Sequence, residues 1–244
     1  MLSVIIPAYN EERYLPATLA QLGRAAAAAG SILGRDHEII VADNASTDRT
    51  AALAREAGAT VVPVAERNIA RARNAGAATA TATAAGDLLL FLDADTLVPI
   101  NFLDRVRAVM ADPGCLGGAV DTDYRPARWA MRLYLDCWRW LARALHMAQG
   151  PAQFCRPAAF AALGGYDEAH FMGEDVDFYW RLRALAHARG QHVCFLRDIR
   201  VVPSCRRFDQ WPTWRVLIQT NPVWITLFQY RAGGWPGWYR DPPR

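Results

Sequence analysis

A chain of 244 residues, 52% of them hydrophobic, carries enough apolar mass for one sizeable core. Its net charge of +3 is too mild to argue for nucleic acid as a partner, although all 27 basic residues are arginine. The five cysteines, Cys115, Cys137, Cys155, Cys194 and Cys205, are odd in number and form no CxxC pair, which argues against a disulfide framework or a zinc pattern and favours a reducing cytosol.

In chain order, LSVII reads as a strand ending at Pro7. Asn10 is placed to cap a helix through residues 11–30, with Pro16 disturbing its first turns and Gly30 stopping it. HEIIVAD is a second strand, and Ser46 or Thr47 is placed to cap the helix DRTAALAREAG. TVVPV, the helix IARARNAGAATATA and the strand DLLLFL follow. Strand–helix alternation at this spacing predicts an α/β fold with a mainly parallel sheet and helices on both faces. The continuous apolar run LLLFL suits a strand buried on both sides.

Composition changes near Arg125, and all nine tryptophans lie beyond it. The expected organisation is one domain over residues 1–210, with halves 1–124 and 125–210, and a Trp-rich tail over 211–244. Residues 125–147 read as a helix with Arg128, Arg132, Arg139 and Arg143 in one stripe and Asp136 able to pair with Arg132. Pro222 predicts a break into two short helices, and the closing GGWPGWYRDPPR reads as loose. Three surroundings compete for this arginine- and tryptophan-rich part: the protein's own core, a second copy, or an anionic membrane surface. No stretch nears the roughly 20 apolar residues that span a bilayer. The N-terminal MLSVIIPAYN lacks the basic region of a signal peptide. The expected location is therefore the cytoplasm, extending to the inner face of the membrane.

The chemistry concentrates after the strands. Ligands of parallel sheets bind beyond the carboxyl ends of strands. Asp43 ends one strand, and Asp93 and Asp95 follow LLLFL with only Ala94 between them. If the chain stays extended, both carboxylates face one spot, where a hard divalent cation relieves their repulsion. Arg71 is a candidate to approach a diphosphate and Arg73, with Asn74, to brace the nucleotide pocket, whereas Arg67 reads as a solvated charge. Glu174, Asp175 and Asp177 cluster where a helix begins; helix capping explains one or two of them, and a general base is the functional alternative. His170 lies near this acidic loop. His37, His146, His187 and His192 show no metal-ligand spacing.

Six stretches in order, VIIPAYNEE, VADNASTD, ARNAG, GDLLLFLDADT, LGGYDE and GEDVDFYWRL, resemble the inverting family 2 nucleotide-sugar glycosyltransferases of the GT-A fold. The resemblance covers roughly residues 2–207. It implies that Pro7, Tyr9 and Glu11 line the base and ribose pocket and that Asp43 meets the nucleobase. Asp93 would touch ribose or the metal shell, and Asp95 would ligate Mg²⁺ or Mn²⁺ on the diphosphate. Asp175 would be the catalytic base, with Glu174 as its supporting neighbour or an acceptor contact. The implied partners are a nucleotide-diphosphate sugar and an acceptor that is a sugar, a lipid-linked molecule or a small molecule. Many relatives carry a late metal-touching His. The matching VVPSCRRF has none, so Arg206 or Arg207 is expected at the diphosphate. The absence of the QxxRW motif of processive synthases points to transfer of one sugar. A sugar-phosphate nucleotidyltransferase, or a binding or scaffolding protein on a degenerate transferase fold, is the competing reading.

Overall fold

The computed structural model describes residues 1–32, 36–82, 88–145, 147–148, 150–231 and 235. His146 and the closing segment apart from Trp235 therefore lie outside the described residues, as does the side chain of Arg143. The elements run β1 (Leu2–Ala8), α1 (Leu15–Ala28), β2 (His37–Asp43), α2 (Thr50–Glu56), β3 (Thr60–Pro63), α3 (Ile69–Ala82) and β4 (Leu88–Leu92). Then come β5 (Thr96–Leu97), α4 (Phe102–Met110), β6 (Cys115–Thr122), α5 (Trp129–Ala144), β7 (Ala152–Cys155) and α6 (Pro157–Leu163). The chain continues through α7 (Glu174–Ala188), β8 (His192–Pro203), α8 (Arg206–Gln210), α9 (Thr213–Gln219) and α10 (Pro222–Phe228).

The strands form one sheet in the order β3-β2-β1-β4-β7-β6-β8-β5. Strands β1 to β4 pair in parallel, β7 runs against both β4 and β6, and β8 is again parallel to β6. Side chains alternate along each strand. Val4, Ile6, Leu90 and Leu92 bury one face under Leu15, Leu19 and Phe102. Ile5, Leu89 and Phe91 bury the other under Ala77, Tyr166 and Phe178. Both faces of LLLFL are covered, which is why that strand is apolar throughout. Helix α3 lies very close to β1: a Cβ on Gly76 would sit 2.4 Å from Ile5 Cγ2.

Two helix starts differ from expectation. Helix α1 begins at Leu15, not after Asn10, so Pro16 falls in the first turn, where no amide is needed. Asn10 instead stitches two loops: its amide donates to Ser46 Oγ at 3.0 Å, and its Oδ1 accepts the Thr47 amide at 2.7 Å. Helix α2 starts at Thr50, whose amide donates to Asp48 Oδ1 at 2.9 Å, and neither Ser46 nor Thr47 caps it. Pro222 does open a second short helix, with Asn221 Oδ1 accepting the Val223 amide.

The tryptophan-rich end packs back onto the domain. Met131, Trp211 and Val216 form a small cluster, and the Arg128 guanidinium donates to the Trp211 carbonyl at 3.0 Å. Arg132 donates to the Pro126 carbonyl and Arg139 to that of Thr122, so these arginines tie α5 to neighbouring backbone. The outer side remains apolar: Trp129 is 76% exposed, Trp140 72% and Trp214 64%.

Candidate active site

The carboxyl ends of β1, β2 and β4 open into a cleft of about 730 Å³, roofed by α7, α8 and α10. Pro7, Tyr9 and Glu11 line it from the first loop, and Arg206 and Arg207 from α8. Six carboxylates (Glu11, Asp93, Asp95, Glu174, Asp175, Asp177) line it against four guanidiniums (Arg67, Arg73, Arg206, Arg207). Of the six, Asp177 has a cation outside the cleft: Arg181 donates to it at 2.7 Å, one turn along α7.

The expected extended passage through Ala94 does not occur. Residues 93–96 turn, with the Thr96 amide donating to the Asp93 carbonyl at 3.2 Å. Ala94 points inward and is buried. Asp93 and Asp95 both reach the cleft, but each has its own arginine. Arg73 donates to Asp93 Oδ1 at 3.0 Å and to Glu174 Oε1 at 2.5 Å. Arg206 reaches Asp95 Oδ2 at 3.2 Å and grips both oxygens of Glu11, Oε2 at 2.7 Å. Its guanidinium also lies over the Tyr14 ring. One guanidinium thus joins the start of α7 to the aspartate pair, and the other joins the first loop to it.

Asp175 stands at the first turn of α7, after Gly173 in the left-handed conformation at φ 78°. Its Oδ2 accepts the Gly150 amide at 2.5 Å, and its Oδ1 accepts that of Val176 at 2.9 Å. Burial, and then the neighbouring Glu174 charge, push the Asp175 carboxyl up to about 7. Burial also raises Asp93 to about 6, against the pull of Arg73. Glu11 rises for the same reason despite Arg206. The nearby Tyr124 hydroxyl is held well above its ordinary value by burial and by Asp93 and Asp95. A carboxylate that titrates near neutrality suits proton abstraction.

Two expected binding residues lie elsewhere. Arg71 turns out of the cleft: its Nε donates to Glu168 Oε2 at 3.0 Å, and its other end pairs with Glu66. Residues i and i+2 on a helix diverge by about 200°, so with Arg73 facing the cleft, Arg71 faces away. Asp43 accepts the Ser46 amide at 3.2 Å, and Asn44, not Asp43, lines the cleft at that strand end. Arg67, read as a solvated charge, lines the cleft and stacks 3.5 Å over the Tyr9 ring. His170 is buried, close to Asp167 and tilted against Tyr230 at 4.6 Å.

Two asparagines, Asn68 and Asn74, organise the loop beside the cleft. Asn74 donates to the Tyr166 carbonyl at 2.9 Å and accepts its amide at 2.9 Å, while Asn68 donates to the carbonyls of Glu168 and His170. Together they clamp residues 165–170 onto α3. Gly165 makes this clamp fit: its φ is +76°, and a Cβ there would sit 2.6 Å from Asn74 Oδ1. The signal was present as paired motifs, ARNAG and LGGYDE, but their contact spans 92 residues and no local rule reveals it.

This geometry, a mostly parallel sheet with acidic loops at its carboxyl ends, is that of the GT-A nucleotide-sugar transferases. A mannosyltransferase from Pyrobaculum calidifontis, solved with GDP-Man and Mn²⁺, superposes with a TM-score of 0.64 at 23% identity, covering 94% of this chain and 62% of that one. Glucosyl-3-phosphoglycerate synthase from Mycobacterium tuberculosis, solved with Mn²⁺ and UDP, gives 0.60 at 20% identity, over 93% and 78%. The family model "Glycosyl transferase family 2" matches residues 3–164, and the chain belongs to that family. An undecaprenyl-phosphate 4-deoxy-4-formamido-L-arabinose transferase from Pseudomonas paraeruginosa (strain DSM 24068 / PA7) is 31% identical over 153 residues. That match covers 61% of this chain and 41% of the relative, so the chain spans well under half of that protein's length.

Proposed function

We propose that this chain transfers one sugar, with inversion, from a nucleoside diphosphate sugar to an acceptor hydroxyl. The observation that carries the reading is the placement of Asp175, which titrates near 7, in one cleft with Asp93, Asp95, Arg206 and Arg207. Asp175 takes the acceptor proton as the acceptor oxygen attacks the anomeric carbon, and the nucleoside diphosphate leaves. Glu174, held by Arg73, supports Asp175 and is not an acceptor contact. Arg67 and Tyr9 frame the nucleoside side.

Asp93 and Asp95 fit a divalent cation, Mg²⁺ or Mn²⁺. Each engages its arginine through one oxygen, and the excess of carboxylates over guanidiniums suits a hard cation. When bound, that cation neutralises charge on the leaving diphosphate. Arg206 and Arg207 supply further positive charge beside Asp95.

The acceptor we favour is lipid-linked, consistent with the undecaprenyl-phosphate in the relative's name. Among the described residues no helix is long and apolar enough to cross a membrane. The exposed Trp129, Trp140 and Trp214 suit peripheral docking at the inner face of a membrane instead.

The test is a thermal-shift panel of nucleoside diphosphates with and without Mn²⁺ or Mg²⁺. A ligand at a hundredfold excess over its dissociation constant stabilises by about 2.7 kcal/mol. One nucleotide is expected to stabilise the protein only with metal, and Asp95→Ala to remove the effect. No shift under any condition removes the transferase reading.

A further inference from the structure

The transfer reaction makes no use of the opposite end of the sheet. Strands β6 and β8 begin there, side by side and parallel, with Cys115 in register with His192. Past a bulge between Cys115 and Gly117, Cys194, two residues along β8, pairs with Gly118. The two sulfurs lie 3.2 Å apart, and Cys115 Sγ, Cys194 Sγ and a ring nitrogen of His192 all lie within 4.8 Å of one another.

The surroundings are built around these groups. Asp112 Oδ1 accepts the Gly114 amide at 2.8 Å, and its Oδ2 faces His192 Nε2 at 3.4 Å. The His192 amide donates to the Gly114 carbonyl at 3.0 Å. A carboxylate on the outer nitrogen of an imidazole fixes the ring and raises the basicity of its other nitrogen, as behind histidines that bind metal. With Nε2 facing Asp112, Nδ1 is left for a cation. Arg156 donates to the Cys115 carbonyl at 2.9 Å and so fixes the backbone at the start of β6.

We propose that Cys115, Cys194 and His192, backed by Asp112, form a binding site for a thiophilic d¹⁰ cation, Zn²⁺. Tetrahedral zinc with sulfur at about 2.3 Å and nitrogen at about 2.0 Å needs ligand atoms roughly 3.5–3.8 Å apart. The sulfurs stand at 3.2 Å, and the three ligand atoms all lie within 4.8 Å of one another. Binding would open the sulfurs slightly, and the half-exposed imidazole has room to turn onto the ion. A direct disulfide fits less well. The offset in register places the two Cα atoms roughly two strand rises apart along the strands and one strand spacing across, about 8 Å, beyond the reach of about 7 Å for a disulfide. Three protein ligands leave the fourth position to water.

The test uses the full chain carrying Cys137→Ser, which removes an exposed thiol, and titrates it with Co²⁺ as a spectroscopic stand-in for Zn²⁺. One equivalent is expected to give a thiolate-to-cobalt charge-transfer band together with tetrahedral d–d bands, and Zn²⁺ to displace it. Cys194→Ser should abolish the band. His192→Ala and Asp112→Asn should each weaken binding by at least tenfold, and both positions are exposed enough to change without disturbing the core. Absence of the band, or a band of equal strength in Cys194→Ser, overturns the site. Neither result depends on the transferase reading, since no nucleotide or sugar enters the assay.

Discussion

Arg73 and Arg206 carry out matching tasks from opposite sides of the cleft. Each is a buried guanidinium that joins one member of the Asp93–Asp95 pair to a glutamate far away in sequence. Their supports differ. Arg73 projects from a 14-residue helix pressed against β1 at Gly76, whereas Arg206 projects from a five-residue helix after the last long strand. The first is a framework cation that holds the base loop in place. Under the proposed function the second is exchangeable, its support small enough to shift if a donor and a metal were to compete for Asp95.

The strongest way to break this comparison is Arg73→Met. It leaves Asp93 and Glu174 without their cation, and removing one partner of a buried pair costs about 3–5 kcal/mol; urea denaturation reads the loss. A cost equal to that of Arg206→Met would erase the distinction. Next in size is Asp175→Asn, expected to slow transfer by roughly 10²–10⁴-fold while nucleotide binding, followed by thermal shift, stays close to the parent's. Arg206→Met is expected to cost about 1.5–3 kcal/mol and also to release Asp95. Mn²⁺ binding without nucleotide, followed by electron paramagnetic resonance, should then tighten by roughly tenfold.

A pH series sharpens the same contrast. The Asp175 carboxyl is raised to about 7 in the fold, above its ordinary range. Between about pH 4 and pH 7 the folded state therefore binds the extra proton, and stability falls as pH rises through that window. Asp175→Asn removes this penalty, so its melting temperature should exceed the parent's above pH 7 and lose that advantage near pH 4. Transfer should rise with pH through about 7 as the base ionises. The smallest effect belongs to the outer face. Replacing Trp129 and Trp140 with Ser should weaken binding to anionic vesicles by about tenfold, or about 1.4 kcal/mol, and leave transfer to a soluble acceptor unchanged.

Much of the fold was legible because its signals are local. The helix Ile69–Ala82 matches its expected bounds residue for residue, and the strand Leu88–Leu92 falls within the expected DLLLFL, of which Asp87 lies outside the described residues. The site was legible as a set of residues but not as a wiring diagram. Arg71 and Arg73 look equivalent in sequence, and only the pitch of α3 separates them. Arg67 lies ahead of that helix, where periodicity has no say, and it belongs to the cleft. His192-x-Cys194 escaped a search for zinc spacing because its partner, Cys115, sits 79 residues from Cys194 on the adjacent strand. Sheet pairing made that cluster, and pairing is a non-local property.

The grip of Arg206 on Glu11 joins residues 195 positions apart. Contacts that close such long loops form late, because the chain's freedom is surrendered before the contact repays it. During synthesis, most of the sheet emerges from the ribosome while Glu11 still lacks its cation. The cleft is therefore finished by α8, after the strands that carry its aspartates already exist. A chain halted before α8 would hold the aspartate pair and the first loop without the arginine that joins them. Arrival of α8 is, in effect, the step that joins the first loop to the aspartate pair.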